Sequence, residues 1–235
     1  MIKSLLLCLG LMTLASAAHT QCRQALALGL DVSGSVDARE YRQQLDGLAQ
    51  ALNSEQVRAN ILSQPHVPVM LLVYEWSGPQ DQHLLIPWTA VTSAGELARI
   101  VDTLTSTDRR AAAPGTALGV AMQVGVAHLA RTECWAKTLD ISGDGKSNLG
   151  IRPRDARPVF DGQDVTINAL VIGADAPSIG DTRQTELGEL SAYFAAEVIY
   201  GDDAFVETSI GFDDYADAMT RKLLRELAEL QISLR

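Results

Sequence analysis

The chain has 235 residues, of which 47% are hydrophobic, and it carries a formal net charge of −10 at pH 7. This length and apolar fraction suit a single domain with an ordinary hydrophobic core. The acidic balance argues against nucleic acid or an anionic membrane as the partner, because both require clustered lysine and arginine, but it is compatible with divalent cations.

The amino-terminal segment 1–18 has the features of a secretory signal peptide. Lys3 precedes an apolar stretch from Leu5 to Leu14, and small residues follow it up to Ala18. The stretch is too short to span a membrane, and we expect cleavage after Ala17 or Ala18. No later stretch is apolar over the length that a bilayer requires. The sequence therefore predicts a secreted or periplasmic protein in which residues 19–235 form one domain.

Cleavage of this leader removes Cys8 and leaves two cysteines, Cys22 and Cys134. In an oxidising compartment an even pair is more often bridged than free. Each cysteine lies just upstream of an apolar run, so both would lie at the same edge of a sheet if those runs were neighbouring parallel strands. We predict a disulfide between them, and the alternative is a pair of buried thiols.

Apolar runs alternate with amphipathic segments along the rest of the chain, as in an α/β fold. The predicted strands are Ala25–Leu30, Val67–Tyr74, His83–Trp88, Trp135–Ser142, Val165–Ile172 and Ala196–Tyr200. The predicted helices are Asp37–Leu52 (which Asn53–Leu62 extends or restarts), Ser93–Leu104, Thr116–Leu129, a short Asp155–Phe160, Thr185–Ala195 and Phe212–Leu230. This order predicts a doubly wound, Rossmann-like, mostly parallel six-stranded sheet with helices on both faces. His83–Trp88 is predicted to be an edge strand, because it contains Pro87, and one edge strand of the sheet is predicted to be antiparallel.

The first strand ends abruptly in the sequence D-V-S-G-S, which contains Asp31, Ser33 and Ser35. Alternate side chains of an extended turn point to one side, so a carboxylate and two hydroxyls can converge on one ion. Magnesium prefers oxygen ligands in an octahedron and takes only one or two protein carboxylates. The competing interpretation is that Asp31 and Ser33 cap the next helix.

Two later turns offer further oxygen ligands. Thr116 begins a predicted helix, and Asp144 follows the strand Trp135–Ser142. In a doubly wound sheet, ligands bind at the carboxyl ends of the strands, where the strand order reverses. With the first turn, these residues supply two carboxylates and three hydroxyls, which is close to a magnesium octahedron with room for water. Taken singly, Thr116 would be an ordinary helix cap and the Asp-Gly pair an ordinary turn.

The combination of D-V-S-G-S, a later threonine in P-G-T-A and a later D-G resembles the von Willebrand factor A-type (VWA) domain with its metal-ion-dependent adhesion site (MIDAS). The resemblance extends from Gln24 to about Leu230, with the three motifs in the expected order and spacing. More narrowly, the chain resembles exported bacterial VWA-like proteins of uncharacterised function. It implies Mg²⁺ as the cofactor, with Mn²⁺ or Ca²⁺ as alternatives.

The resemblance also implies a role for each residue of the site. Ser33 and Ser35 would bind the metal directly, Asp31 and Asp144 would act directly or through water, and Thr116 would join or leave with the ligand state. The third turn departs from the usual S-D-G because it reads S-G-D-G. Asp140 is therefore an alternative to Asp144, although a charge inside a strand needs a partner.

Three further features have alternative interpretations. Arg109 and Arg110, just before the Thr116 turn, either meet an acidic partner or are simply solvated. Trp76 is either an aromatic contact for a partner or a lid on the core. The sequence D-I-S-G-D-G-K-S ends like a phosphate-binding loop, but Asp140 stands where that motif requires glycine. There is no G-x-S-x-G nucleophile motif and no H-E-x-x-H zinc motif.

The sequence therefore predicts a non-enzymatic domain that binds a protein or peptide through a divalent cation. Two aspartates neutralise the ion only formally, and an Asp or Glu carboxylate of the partner can fill its open position. A metal-dependent hydrolase is the first alternative, since such an ion can act as a Lewis acid. The second is a structural domain in which the cation only stabilises the fold.

Overall fold

A computed structural model describes residues 21–173 and 183–233. The predicted signal peptide, 1–18, lies outside these residues. Six strands form one sheet in the order β3-β2-β1-β4-β5-β6. The strands are β1 (Gln24–Asp31), β2 (Val69–Trp76), β3 (Gln82–Val91), β4 (Ala136–Gly143), β5 (Thr166–Ile172) and β6 (Val206–Ser209). All neighbouring pairs are parallel except β2 with the edge strand β3, as predicted.

Helices cover both faces of the sheet. They are α1 (Ala38–Asn53), α2 (Glu55–Leu62), α3 (Ala94–Ser106), α4 (Leu118–Leu129), α5 (Pro153–Ala156), α6 (Arg183–Glu197) and α7 (Tyr215–Ser233). Alternate residues of β1 serve the two faces, because successive side chains of a strand point in opposite directions. Leu26, Leu28 and Leu30 pack in the layer with α1 and α7, whereas Ala25 and Ala27 pack in the layer with α4. No helix of the described segments is long and apolar enough to cross a membrane.

The doubly wound fold is confirmed, and the main error concerns the sixth strand. The predicted strand Ala196–Tyr200 is wrong, because α6 continues to Glu197 and Val198 packs fully buried behind it. Tyr200 makes only an isolated antiparallel bridge to Ile167, and the true sixth strand is β6. A short apolar run beside a helix does not reveal by periodicity whether it extends the helix or starts a strand.

The predicted disulfide is confirmed. β1 and β4 are adjacent parallel strands, with Gln24 opposite Ala136, so the residues just before them lie side by side. Cys22 and Cys134 are bonded across a Cα–Cα distance of 4.6 Å, and the Trp135 N–H donates to the Cys22 carbonyl at 3.0 Å. The bridge therefore joins the amino ends of the two central strands.

Loss of this bridge is expected to destabilise the domain strongly. It joins cysteines that are 112 residues apart. On the chain-entropy account, a loop of this length contributes about 4 to 5 kcal/mol by restricting the unfolded chain. Cys22→Ser with Cys134→Ser should therefore lower the free energy of unfolding in urea by that order, and reducing agent should lower it equally in the wild type. A double variant as stable as the oxidised wild type would contradict this account.

Candidate metal centre

The first predicted turn lies at the carboxyl end of β1, where the chain order along the sheet reverses between β1 and β4. Asp31 is fully buried there, and its Oδ1 accepts the Ser33 backbone N–H at 2.8 Å. The residue that caps α1 is Asp37, whose side chain accepts the N–H groups of Arg39 and Glu40. The interpretation of Asp31 and Ser33 as helix caps is therefore wrong.

The five predicted side chains of the site lie in one continuous cluster. Thr116 Oγ1 donates to Ser33 Oγ at 3.3 Å, and Ser33 Oγ lies 3.2 Å from Ser35 Oγ. Ser35 Oγ in turn donates to Asp144 Oδ1 at 2.7 Å. Asp31 joins this chain through the backbone of Ser33. Three turns that are distant along the sequence thus bring two carboxylates and three hydroxyls together.

Thr116 takes its place through backbone contacts rather than as a helix cap. The helix α4 begins at Leu118, and Ala117 occupies the cap position without a side-chain hydrogen bond. The Thr116 N–H donates to Asn148 Oδ1 at 2.8 Å, and the Ala117 N–H donates to the Ser77 carbonyl at 2.7 Å. The Thr116 hydroxyl is therefore free to point at Ser33.

Asp81 holds the loop that leads to Thr116, and sequence reasoning did not identify it. Its Oδ2 accepts the Ala113 N–H at 2.7 Å and the Ser77 hydroxyl at 2.7 Å, and these hydrogen bonds lower the pKa of Asp81. Arg110 Nη2 lies 3.4 Å from Asp81 Oδ1. A lone aspartate in a turn gives no sequence signal for such a role, and neither does Asn148.

The electrostatics of the cluster favour a bound cation. Burial, and secondly the charge of Asp144, raises the pKa of Asp31 to about 8. Burial also raises the pKa of Asp144, although the hydrogen bond from Ser35 opposes the shift. Asp31 Oδ2 is buried without a hydrogen-bond partner, and no lysine or arginine in the described ranges forms an ion pair with either aspartate. The donor set therefore fits a hard divalent cation, which would supply the missing positive charge.

Asp140, the alternative to Asp144, has a different partner. Its Oδ2 lies 2.9 Å from Nζ of Lys222, which is fully buried on α7 and also contacts Glu226 at 2.5 Å. Asn168 Nδ2 donates to Glu226 Oε1 at 2.8 Å. Asp140 thus belongs to a buried ionic network between α7 and the sheet, whereas Asp144 lies in the oxygen cluster.

The other open features of the sequence also have definite places. Arg109 donates through Nη2 to the Val36 carbonyl. Arg110 is 43% exposed and lies near Asp81, so neither arginine is simply solvated. Trp76 is fully buried, which makes it a lid on the core rather than a contact aromatic. Within the described ranges, no group of three or more His, Cys, Asp or Glu side chains could hold a metal, so any ion here depends on hydroxyl ligands.

The family of the chain follows from a match over residues 21–231 to the family described as "Protein of unknown function (DUF1194)". The chain belongs to this family. No curated protein matches the DUF1194 chain. Solved structures of the same fold do match it, and they identify the fold as that of a VWA domain.

Three of these structures illustrate the likeness. Proximal thread matrix protein 1 from the mussel byssus is 17% identical with a TM-score of 0.60, over 89% of this chain and 49% of that one. A von Willebrand factor type A protein from Catenulispora acidiphila is 14% identical with a TM-score of 0.56, over 88% and 43%. The pilus adhesin SpaC from Lactobacillus rhamnosus GG is 12% identical with a TM-score of 0.55, over 90% and 31%. The DUF1194 chain spans about half or less of these proteins, and the likeness establishes the fold alone.

The Lys222 network predicts a pH-dependent loss of stability in Lys222→Met. Burial raises the pKa of Asp140 to about 7, although the Lys222 ammonium opposes the shift. The folded state therefore holds this proton at a higher pH than the unfolded state, so the free energy of unfolding falls as pH rises from about 4 to 7. Without the ammonium the folded pKa rises further. We expect Lys222→Met to cost about 3 to 5 kcal/mol at pH 8 and distinctly less at pH 5.

Urea unfolding at the two pH values, followed by tryptophan fluorescence, measures this difference. The matched control is Lys137→Met, because Lys137 is partly exposed on β4 and should give a small, pH-independent change. If Lys222→Met lowered the free energy of unfolding equally at pH 5 and pH 8, no carboxylate of the network would titrate between these two pH values.

Proposed function

We propose that this protein is an exported VWA domain that binds a protein or peptide partner through a divalent cation. The observation that carries the proposal is the oxygen cluster at the carboxyl edge of the sheet. Burial and the charge of Asp144 disfavour ionisation of Asp31, burial disfavours ionisation of Asp144, and the described part of the chain supplies no basic side chain to offset this cost. A cation from solution is the simplest source of the missing charge.

Asp31, Ser33, Ser35, Thr116 and Asp144 would hold the ion, which we propose is Mg²⁺, with Mn²⁺ or Ca²⁺ as alternatives. A thread matrix protein of the same fold has a structure with a zinc-occupied MIDAS motif, which supports divalent binding at such a site. When bound, the ion supplies a Lewis-acidic position for a carboxylate oxygen. The hydroxyl ligands add no negative charge of their own, so the ion would keep positive charge at this open position.

A binding role is favoured over hydrolysis by the chemistry around the cluster. The four side chains that bond to one another carry three hydroxyls and one carboxylate. Within the described turns, no histidine or cysteine lies among them to act as a catalytic base or nucleophile. The nearby Lys146 lies with Nζ 6.0 Å from the centre of the Tyr193 ring. The pilus adhesin and the thread matrix protein among the structures of this fold also favour adhesion or assembly over catalysis.

The proposal of export rests on the leader-like segment 1–18 and on the disulfide. A bridge between Cys22 and Cys134 persists in an oxidising compartment such as the periplasm or the external medium. We therefore place the mature chain outside the cytoplasm, beginning after Ala17 or Ala18.

Removing the charge of Asp31 should have opposite effects with and without metal. In chelator, Asp31→Asn relieves a buried unpaired carboxylate, so its melting temperature should equal or exceed that of the wild type. With magnesium at about 100 times its Kd, the wild type should gain about 3 kcal/mol of stability and the variant almost none. Thermal melts in chelator, Mg²⁺, Mn²⁺ and Ca²⁺, with calorimetric titration of each ion, measure both effects.

The control for this crossover is Asp102→Asn, which removes an exposed carboxylate on α3 and should respond to metal as the wild type does. Asp144→Asn should behave as Asp31→Asn does. Equal stabilisation of wild type and both variants by every ion would refute the metal site.

The partner itself is sought by capture from the native cell envelope. The wild-type domain should retain a specific protein in Mg²⁺ and release it in chelator, and Asp144→Asn should retain none, because the carboxylate of the partner has no ion to bind. A lower melting temperature in chelator, together with unchanged capture of the partner protein, would instead support a structural cation. Metal-dependent turnover of phosphoester or peptide substrates that Asp31→Ala abolishes would support the hydrolase.

A further inference from the structure

We infer that the partner's carboxylate is flanked, within two residues, by an aliphatic or aromatic side chain that packs on an apolar surface beside Thr116. We call this surface the apolar shelf, and it consists of Pro79, Ala113, Pro114 and Leu149. The inference rests on the proposed function, because the carboxylate is the group that the cation would bind. The inference adds to that function the type of side chain next to the carboxylate that would determine which acidic segments bind.

The shelf is continuous across three loops. The Leu149 side chain lies against Gly115, where a Cβ would overlap Cδ1 of Leu149. Gly150, next to Leu149, has a φ of +73°, and a Cβ there would lie 3.5 Å from Cγ of Pro79. Glycine at these two positions therefore lets the loops after β2, before α4 and after β4 approach one another closely. A Cβ at Gly78 would likewise lie 2.9 Å from Cβ of Ala113, so the four residues of the shelf lie in adjoining loops.

This surface directly borders the oxygen cluster. The Leu149 N–H donates to the Thr116 carbonyl at 3.3 Å, and Gly115 immediately precedes Thr116. The Pro114 carbonyl accepts the N–H of Gly34, between Ser33 and Ser35, at 3.1 Å. The shelf thus touches both hydroxyl-bearing turns. Consecutive Cα atoms of a peptide are about 3.8 Å apart, so a residue within two positions of a bound carboxylate can reach it.

The chemistry of the shelf selects an apolar side chain. Leu149 is 48% exposed, and Pro79 and Pro114 are also exposed. Their side chains have no hydrogen-bonding groups, and the neighbouring Asp81 already accepts the Ala113 N–H and lies near Arg110. A polar flanking group finds no hydrogen-bonding partner on the four side chains of the shelf. An aliphatic or aromatic group would remove apolar surface from water on both partners.

Leu149 supplies an exposed apolar side chain beside the site. Trp76, which sequence reasoning considered as a contact aromatic, is fully buried. Lys146, two positions after Asp144, is exposed, and its Nζ lies 6.0 Å from the centre of the Tyr193 ring. A peptide that binds with its acidic residue in the centre therefore has apolar surface within reach beside Thr116.

The test compares two synthetic peptides, acetyl-Leu-Leu-Glu-Leu-Leu and acetyl-Ser-Ser-Glu-Ser-Ser, each with the same Ser-Gly-Ser tail. Both are titrated in saturating Mg²⁺ and in chelator, and a glutamine version of each reports binding that does not need the carboxylate. We expect the leucine peptide to bind about fivefold more tightly in Mg²⁺, since it covers the exposed half of one leucine. A photo-reactive leucine in the same peptide should cross-link to residues of the shelf.

Leu149→Ser should abolish the preference without weakening the serine peptide, whereas Leu149→Phe, which keeps an apolar surface, should retain it. Val159→Ser removes an exposed aliphatic side chain before β5, at the opposite edge of the sheet, and serves as the matched control. Chelator-sensitive binding with equal affinity for both peptides, or cross-links only outside the shelf, would overturn the inference and leave the proposed function standing. Absence of chelator-sensitive binding by either peptide would overturn both.

Discussion

The carboxyl edge of the sheet is governed by the burial of Asp31. Its side chain is removed from water at the end of the central strand, one of its oxygens lacks a hydrogen-bond partner, and Asp144 brings a second carboxylate towards it. A buried charge of this kind costs free energy unless a cation or several hydrogen bonds compensate it. Two other features offset this free-energy cost: apolar layers cover both faces of the sheet, and a disulfide joins β1 to β4 at the other edge. The disulfide and the oxygen cluster therefore lie at opposite ends of the same two strands.

Asp140 shows what a structurally compensated carboxylate looks like in the same sheet. It is as deeply buried as Asp31, but Lys222 on α7 lies 2.9 Å away, and Asn168 and Glu226 complete the network. Among the described residues, a lysine is therefore available for one buried aspartate and none pairs with the other. This difference is the physical reason to read Asp31 as part of a binding site and Asp140 as part of the scaffold.

Sequence reasoning succeeded where local chemistry and topology agreed. The apolar run that ends in Asp31 predicted a central parallel strand, and the positions of Cys22 and Cys134 before two such strands predicted their bridge. It failed where tertiary contacts decide the outcome. Val198, which was predicted to lie in a strand, instead packs in the apolar layer just after α6. Its local sequence does not distinguish between these two positions. The Lys222 partner of Asp140 lies 82 positions away on the final helix, beyond the range of any local pattern.

The loops around the cluster are held before any partner arrives, and this affects how selection can work. Asn148 and Ser77 bond the backbone on either side of the Thr116 hydroxyl, and Asp81 bonds the loop that precedes it. Little conformational entropy then remains to be lost when a carboxylate binds, which is the general advantage of a preorganised site. A rigid site of this kind treats all accessible carboxylates alike, because each presents the same two oxygens. On the proposed function, discrimination between acidic segments must therefore come from surface outside the oxygen cluster, and the exposed face of Leu149 is an apolar surface that adjoins it.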